Sequence, residues 1–160
     1  MRPATRSRTA NLRDVEEIDR QILQLLTADG RMSFTDLGKA TGLSTSAVHQ
    51  RVRRLEQRGV IKGYSAVIDA EAVGLPLTAF ISVTPLDPAA PDDVPERLSS
   101  VLEIEACHSV AGEENYILKV RVATPGALEA LLAKIRADAN VSTHTTIVLS
   151  TPFEARSLPM

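Results

Sequence analysis

Apolar residues recur at helical spacing in three consecutive segments near the start of the chain. The first segment begins at Asp14, which forms a D-x-x-E capping pattern with Glu17, and it ends at Gly30. The second, shorter segment begins at the cap pattern of Ser33 with Asp36. The apolar face of the first segment consists of Ile18, Ile22, Leu25 and Leu26. These patterns predict two amphipathic helices.

The third segment follows a tight turn at Gly42 and has the sequence GLSTSAVHQRVRRLEQRG. Ser44 is a typical N-cap residue, and Gly59 tolerates the positive φ of a position just past a helix end. Val48, Val52 and Leu55 form an apolar stripe, and the opposite side carries Ser46, His49, Gln50, Arg53, Arg54 and Gln57. Two helices joined by a tight turn, the second of them polar and basic outside, indicate a helix-turn-helix whose second helix enters the major groove of DNA.

DNA binding also accounts for the charge of the third segment. Its arginines are Arg51, Arg53, Arg54 and Arg58, and only Glu56 opposes them within the helix. DNA phosphates would compensate for such a crowd of like charges, and Gln50 and Arg53 can hydrogen-bond to base edges. The predicted groove-facing residues are Ser44, Thr45, Ser46, His49, Gln50 and Arg53, and those nearer phosphate are Arg51, Arg54 and Arg58. A solvated surface helix is the alternative interpretation.

The segments on either side of these helices complete a first domain, residues 13–68. Residues 1–12 hold three arginines without any acidic residue, and they predict a disordered basic arm. The β-branched run Val60–Ile68 predicts a wing hairpin beside the helix-turn-helix. Residues 69–76 then form a linker to a second domain.

Strand and helix patterns alternate through the second domain, residues 77–152, which precedes a C-terminal tail, residues 153–160. The predicted strands are Leu77–Thr84, Ile104–Ala111, Tyr116–Ala123 and Val141–Ser150, and the predicted helices are Asp92–Leu102 and Gly126–Ala139. Val94, Leu98, Val101 and Leu102 align on the first of these helices. The order βαββαβ predicts a ferredoxin-like domain, so the fold class is α+β with an N-terminal winged helix-turn-helix.

A ferredoxin-like sheet carries both helices on one face, so its other face needs a cover. Phe80 and Ile117 are expected on that face. A second copy of the chain is the simplest cover, which predicts a homodimer. A dimer of helix-turn-helix units would bind two half-sites about one helical turn apart.

Composition and charge narrow the class of protein. Residues 1–62 contain 12 Lys+Arg and 7 Asp+Glu, whereas residues 63–160 contain 6 and 13. This asymmetry favours a nucleic-acid module joined to a module of another kind. One cysteine excludes an internal disulfide, and the absence of a long apolar run or a signal sequence predicts a cytoplasmic protein without a membrane segment.

Catalytic and metal chemistry find no support in the sequence. His108 and His144 are expected on the two edge strands, and Cys107 and His108 point to opposite faces as neighbours on a strand. We therefore expect no catalytic residue, no metal site and no cofactor. A competing hypothesis is a ferredoxin-like enzyme or sensor whose N-terminal helices only contact proteins.

Two signature regions, GLSTSAVHQRVRRLEQRGVIKGYSAVID and CHSVAGEENYILKVRV with the later VSTHTTIVL, resemble the Lrp/AsnC (feast/famine) transcription regulators. The resemblance covers residues 14–152. It implies a cytoplasmic regulator of double-stranded DNA whose dimers assemble into tetramers or octamers. It also implies a small effector, commonly an amino acid, bound between dimers. An architectural DNA-binding protein, or a sensor of another metabolite, is the alternative.

The resemblance assigns the effector to the loop after the second strand of the ligand domain and to the last strand. On this chain the implied residues are Ser109, Gly112, Asn115, Thr145 and Thr146, and the carboxylates of Glu113 and Glu114 lie beside them. The family usually has an acidic residue at the position of Asn115. Gly112 would let a ligand approach the backbone closely. A plain hairpin turn at residues 112–115 is the alternative interpretation.

Overall fold

The computed structural model describes residues 16–154 and residue 156. The predicted basic arm, residues 1–12, lies outside the described residues, as do Asp14 of the first capping pattern and most of the predicted tail. The chain divides into two compact units: the second is Ile68–Pro152, and the first takes the residues up to Val67 together with those from Phe153 onward. Each unit has its own core.

Three helices form the first unit: α1 (Glu17–Ala28), α2 (Phe34–Thr41) and α3 (Thr45–Gln57). Their buried side chains meet in one small core, which consists of Ile22, Leu37, Val48 and Val52 with Leu25, Leu26, Met32, Leu43 and Ile61 packed against it. The second cap pattern is confirmed, because the Ser33 hydroxyl accepts a hydrogen bond from the Asp36 backbone N–H at 3.1 Å. Glu16 occupies the N-cap position of α1, and its side chain makes no capping bond.

The wing predicted at residues 60–68 is wrong, because this described segment contains no strand. The backbone N–H groups of Val60 and Ile61 both donate to the Leu55 carbonyl, so the chain turns back onto the end of α3. The following residues have no regular secondary structure, and Val67 is 94% exposed. Their β-branched character indicates an extended backbone, but a strand also needs a hydrogen-bonded neighbour.

The second unit is a four-stranded antiparallel sheet with two helices on one face. Its elements are β1 (Leu77–Pro85), α4 (Val94–Leu98), β2 (Ile104–Ser109), β3 (Tyr116–Val122), α5 (Pro125–Ala139) and β4 (Val141–Ile147). The strand order is β2-β3-β1-β4, and the pairs β1–β3, β1–β4 and β2–β3 are all antiparallel. The predicted βαββαβ order and the α+β ferredoxin-like class are confirmed.

Alternation along the central strands determines which sheet face is packed. Ala79, Ile81 and Val83 of β1 are fully buried against the helices, whereas Phe80 on the other face is 41% exposed. Ile117 of β3 is half-buried and lies opposite Ser82 in the sheet. The expected outward positions of Phe80 and Ile117 are therefore confirmed.

Helix α4 is much shorter than the predicted span, Asp92–Leu102. The Ser99 side chain and backbone both donate to the Glu96 carbonyl, which closes the helix after one turn. The chain then turns, and Leu102 is 92% exposed rather than part of the core. The periodicity correctly placed Val94, Leu98 and Val101 in the core, and it was wrong only for Leu102.

The loop before α4 is attached to the sheet by a buried side chain. Tyr116 is 2% exposed, and its hydroxyl donates a hydrogen bond to the Asp92 carboxylate. This bond, together with burial, raises the pKa of Tyr116. Asp93 instead forms an ion pair with Arg97 at 3.0 Å.

Gly38 sets the closeness of α2 to the start of α3, and we expect Gly38→Ala to destabilise the first unit. A Cβ atom there would lie 2.7 Å from the Leu43 carbonyl oxygen, which is backbone and cannot rotate away. The expected cost is about 1 to 3 kcal/mol of unfolding free energy, despite the better helix propensity of alanine. Urea denaturation followed by circular dichroism measures it.

Gly30→Ala is the matched control, because its Cβ would meet only the Leu26 carbonyl oxygen at 3.8 Å. Equal midpoints for the Gly38→Ala variant and the wild type would show that the turn relaxes without cost.

Candidate functional site

Helix α3 is held at both ends by the capping residues that the sequence predicted. The Ser44 hydroxyl accepts a hydrogen bond from the Ala47 backbone N–H at 3.2 Å. Gly42, which ends α2 two residues before Ser44, has φ of 74°, and Gly59, which follows the C-cap residue Arg58, has φ of 69°. These positive φ values favour glycine. The helix is therefore presented with fixed ends.

The two faces of α3 differ as predicted. Val48, Val52 and Leu55 are at most 1% exposed, and they fix the inner face. Thr45, Ser46, His49, Gln50 and Arg53 are exposed. The His49 ring packs edge-on against Phe34 of α2, with ring centroids 5.2 Å apart. A row of exposed donors and acceptors thus stands on a rigid support.

Two arginines of α3 have partners that the sequence interpretation missed. Arg51 donates to Asp19 of α1 at 2.8 Å and to Glu16 at 2.9 Å. Arg54 donates to Asp19 at 3.2 Å and lies 3.7 Å from Glu16. The hydrogen bonds that Arg51 donates to Asp19 and to Glu16 raise the pKa of Arg51. Part of the charge assigned to DNA phosphate is therefore compensated inside the unit.

These ion pairs weaken the inference that the crowded arginines of α3 require DNA phosphates. The anion that Arg51 and Arg54 require is supplied by α1, so their presence on α3 does not by itself indicate phosphate contacts. Arg53 points about 200° around the helix from Arg51, since each residue turns about 100°. The acidic partners lie 32 to 35 residues earlier in the sequence. Only the packing of α1 on α3 could have revealed them.

A polar pocket of about 360 Å³ lies in the second unit, where the loop after β2 meets β1 and β4. Its lining residues are Ser82, Thr84, Glu113, Glu114, Ser142, Thr143 and His144. The Ser82 hydroxyl donates to the Glu114 carboxylate at 3.3 Å. Two carboxylates, one imidazole and several hydroxyls therefore converge on one cavity.

Some of the predicted effector residues line this pocket, and others lie outside it. Glu113 and Glu114 line it, and the backbone of Gly112 lies beside Glu114. Asn115 anchors the loop, because its N–H donates to the Val83 carbonyl at 3.1 Å and its carbonyl accepts from Val110 at 3.0 Å.

The predicted strand residues lie outside the pocket. Ser109 pairs with Tyr116, and Thr145 pairs with Ile81, so both face the helix side of the sheet. Thr146 pairs with the exposed Phe80 on the outer face. The lining residues that sequence reasoning missed are Ser82, Thr84, Ser142, Thr143 and His144. The alternation of β1 placed Ser82 and Thr84 outward, but only the register of β1 with β4 brings them to His144 and Ser142.

Metal binding and cysteine reactivity have little structural support in the described part of the chain. His108 and His144 lie on the two edge strands, as predicted. Within residues 16–154 and 156, no cluster of three or more His, Cys, Asp and Glu side chains could hold a metal ion. Burial raises the pKa of the Cys107 thiol, which disfavours the reactive thiolate. Among the described helices, none is long and apolar enough to cross a membrane.

Comparison with known proteins gives two family matches along the chain. Residues 16–56 match the AsnC-type helix-turn-helix domain. Residues 78–158 match the Lrp/AsnC ligand binding domain. The chain belongs to the Lrp/AsnC family. It is thus a helix-turn-helix transcription regulator, and each of its two units carries one of the two family domains.

Individual relatives extend over nearly the whole chain. The transcriptional regulator LrpA of Mycobacterium tuberculosis is 55% identical over 142 residues, which cover 89% of this chain and 95% of that protein. A feast or famine regulatory protein from M. tuberculosis complexed with L-methionine is 54% identical, with a TM-score of 0.88. The match covers 90% of this chain and 98% of that one. A Neisseria meningitidis transcriptional regulator, also in an L-methionine complex, is 27% identical with a TM-score of 0.83. The match covers 90% of this chain and 96% of that one.

For this Lrp/AsnC regulator we expect Ser44→Ala to lower the unfolding free energy of the helix-turn-helix by about 1 kcal/mol, because one N–H of the first turn of α3 loses its acceptor. Thermal denaturation measures the effect. Ser44→Asp is the control, since aspartate restores a capping oxygen. A melting temperature for Ser44→Ala equal to that of the wild type would mean that solvent replaces the cap.

Proposed function

We propose that this regulator reads a specific DNA sequence through α3, and that a small effector, an amino acid, modulates its assembly or its DNA binding. The exposed polar face of α3, opposite a fully buried apolar face, is the observation that carries the proposal. The effector would bind at the polar pocket of the second unit. In this proposal the protein acts in the cytoplasm by binding, without a catalytic step.

The dimensions and chemistry of α3 suit a major groove. Its 13 residues correspond to a length of roughly 20 Å, and the groove admits a helix of ordinary diameter. Ser46, Gln50 and Arg53 recur at i, i+4 and i+7 on the exposed side. Gln50 can pair with adenine and Arg53 with guanine, each through two hydrogen bonds. These side chains would read bases.

The remaining polar residues of α3 have supporting roles in this proposal. Ser44 and Thr45 stand at its N-terminus, where backbone N–H groups and the helix dipole favour a phosphate. His49 is oriented by its contact with Phe34. Arg58, at the other end, is the proposed phosphate contact there. Arg51 and Arg54 form ion pairs with Glu16 and Asp19 instead.

The chemistry of the pocket supports an amino acid. An α-ammonium group needs an anionic acceptor, and Glu113 and Glu114 both line the cavity. The hydroxyls of Ser82, Thr84 and Ser142 and the ring of His144 offer partners for an α-carboxylate. Two relatives with solved structures are complexes with L-methionine. The proposed contacts are therefore these lining residues rather than Ser109 and Thr145, whose side chains face the helix layer.

The exposed sheet face supports a homodimer in the same proposal. Phe80 is 41% exposed at its centre, where an apolar ring in water costs free energy that a second copy would recover. Dimers that assemble further, into tetramers or octamers, would bring effector pockets near subunit interfaces. Double-stranded DNA and the effector complete the set of partners.

The test of DNA reading is Arg53→Ala, measured on a duplex that the wild-type protein selects from a random-sequence library. We expect a loss of about 1 to 3 kcal/mol in binding free energy for the selected duplex, because a bidentate contact to a base is removed. Binding to a scrambled duplex of the same length should weaken much less. Fluorescence anisotropy at fixed salt measures both.

Two results would contradict this assignment. Equal weakening on both duplexes would make Arg53 a phosphate contact. Failure of the wild type to enrich any sequence would remove sequence-specific reading from the proposal.

The test of the effector site is Glu114→Gln, with L-methionine as the first probe and the other amino acids as a panel. We expect the dissociation constant of the tightest-binding amino acid to rise by about ten- to a hundredfold, since a hydrogen bond to a charged group contributes about 1.5 to 3 kcal/mol. Isothermal titration calorimetry of the full chain measures it. Glu129→Gln, at an exposed position of α5, removes the same charge elsewhere and should have no effect.

Unchanged affinity in the Glu114→Gln variant would exclude Glu114 from the site. Absence of binding by every amino acid to the wild type would exclude this class of effector.

A further inference from the structure

Asp19 is the buried acidic residue of the first unit, with no exposed surface. It lies in the first turn of α1, on the side that faces α3. A carboxylate in such a place is costly unless it is paired and hydrogen-bonded. Its partners are the guanidinium groups of Arg51 and Arg54, which belong to the helix that is proposed to read DNA.

The geometry of this pairing restricts the motion of α3. One carboxylate oxygen of Asp19 accepts from Arg51 at 2.8 Å, and the other accepts from Arg54 at 3.2 Å. Because the two arginines are three residues apart, they lie about one turn apart along α3. Rotation of α3 about its axis, or a shift along it, would break at least one bond. Apolar contacts do not require a particular orientation of the atoms, so they oppose such a rotation less specifically than these hydrogen bonds do.

Glu16 reinforces the same arrangement from the start of α1. Its carboxylate lies 2.9 Å from Arg51 and 3.7 Å from Arg54. Glu16 is more than half exposed, so solvent weakens its contribution, whereas Asp19 is shielded from solvent. Asp19 is therefore the principal partner and Glu16 an accessory one.

Small rotations of α3 matter because base reading depends on short distances. The side chains of a helix end about 5 to 6 Å from its axis. A rotation of about 20° would therefore move them by about 2 Å, more than the whole distance range of a hydrogen bond. Gln50 and Arg53 would lose their alignment with the bases, while contacts to phosphate, which tolerate looser geometry, would persist.

We propose that Asp19 is a positioning residue for DNA sequence discrimination: it fixes the rotation of α3 through Arg51 and Arg54, which serve as internal partners rather than as phosphate contacts. The proposal rests on the DNA-reading function proposed for α3. It assigns separate tasks to arginines that are close in sequence. Arg53 contacts DNA, whereas Arg51 and Arg54 hold the helix.

The experiment compares Asp19→Asn with Glu17→Gln in the full chain. Both changes remove one negative charge from α1, but Glu17 is exposed and its ion pair is with Arg20 of the same helix, at 3.3 Å. The ratio of affinities for the selected duplex and its scrambled counterpart is measured at several salt concentrations. We expect Asp19→Asn to lower this ratio about tenfold, with little change on the scrambled duplex, and Glu17→Gln to leave it unchanged.

A second variant covers the possibility that Asp19→Asn fails to fold. Arg51→Gln leaves Asp19 paired with Arg54, so the unit retains one of the two bonds. We expect its affinity ratio to fall while the slope of log affinity against log salt stays that of the wild type. A phosphate contact would instead lower that slope by about one and weaken both duplexes equally.

The outcomes distinguish a failure of this inference from a failure of the proposed DNA-reading function. If the wild type selects no sequence, the reading function itself has failed. If the wild type discriminates and both Asp19→Asn and Arg51→Gln keep the wild-type ratio, with only a lower melting temperature, Asp19 is structural and the inference is overturned. A smaller salt slope for Arg51→Gln also overturns it.

Discussion

The buried carboxylate of Asp19 is the constraint on which the geometry of the first unit depends. The apolar core there is small, and four residues form its buried centre. Such a core holds three helices together through contacts that do not depend on the direction of individual atoms. Asp19 adds direction, because each of its oxygens has a different guanidinium partner. Replacing a buried ion pair by apolar residues is often neutral or stabilising in proteins. Orientation, rather than stability, is what this pair contributes.

The two faces of the sheet in the second unit differ in what they contact. The helix face holds the core, from Ala79 and Ile81 of β1 to Ile135 of α5. The outer face is polar around the pocket and apolar at Phe80. Because side chains alternate along a strand, each residue of β1 that packs the core has a neighbour available for a ligand or a second copy. A single strand therefore packs the core with one face and presents the other face to solvent.

The comparison of sequence with structure shows which features are locally encoded. The caps at Ser33 and Ser44 and the αL position of Gly59 depend on neighbouring residues only, and the sequence predicted them. The strand order followed from the βαββαβ pattern.

The features that the sequence did not reveal depend on distant partners. The run at residues 60–68 has β-branched side chains but no strand to pair with among the described residues. The acidic partners of Arg51 lie on another helix. His144 and Ser142 reach the pocket only because of the register between β4 and β1. Periodicity determines faces, whereas contacts between elements determine sites.

The polar pocket also has a consequence for how an amino acid would be recognised. Its walls are carboxylates, hydroxyls and an imidazole, and no aliphatic or aromatic hydrocarbon side chain lines it among the described residues. Such walls can satisfy the ammonium and carboxylate groups that all amino acids share. An apolar side chain would gain about 25 cal/mol for each Å² removed from water, but the apolar surface of this pocket comes only from the short hydrocarbon parts of its polar side chains. Discrimination between amino acids then has to come from groups outside the pocket. A second copy of the chain is the natural source of such groups, and selectivity would in that case depend on assembly, which is how binding of an effector could change the oligomer.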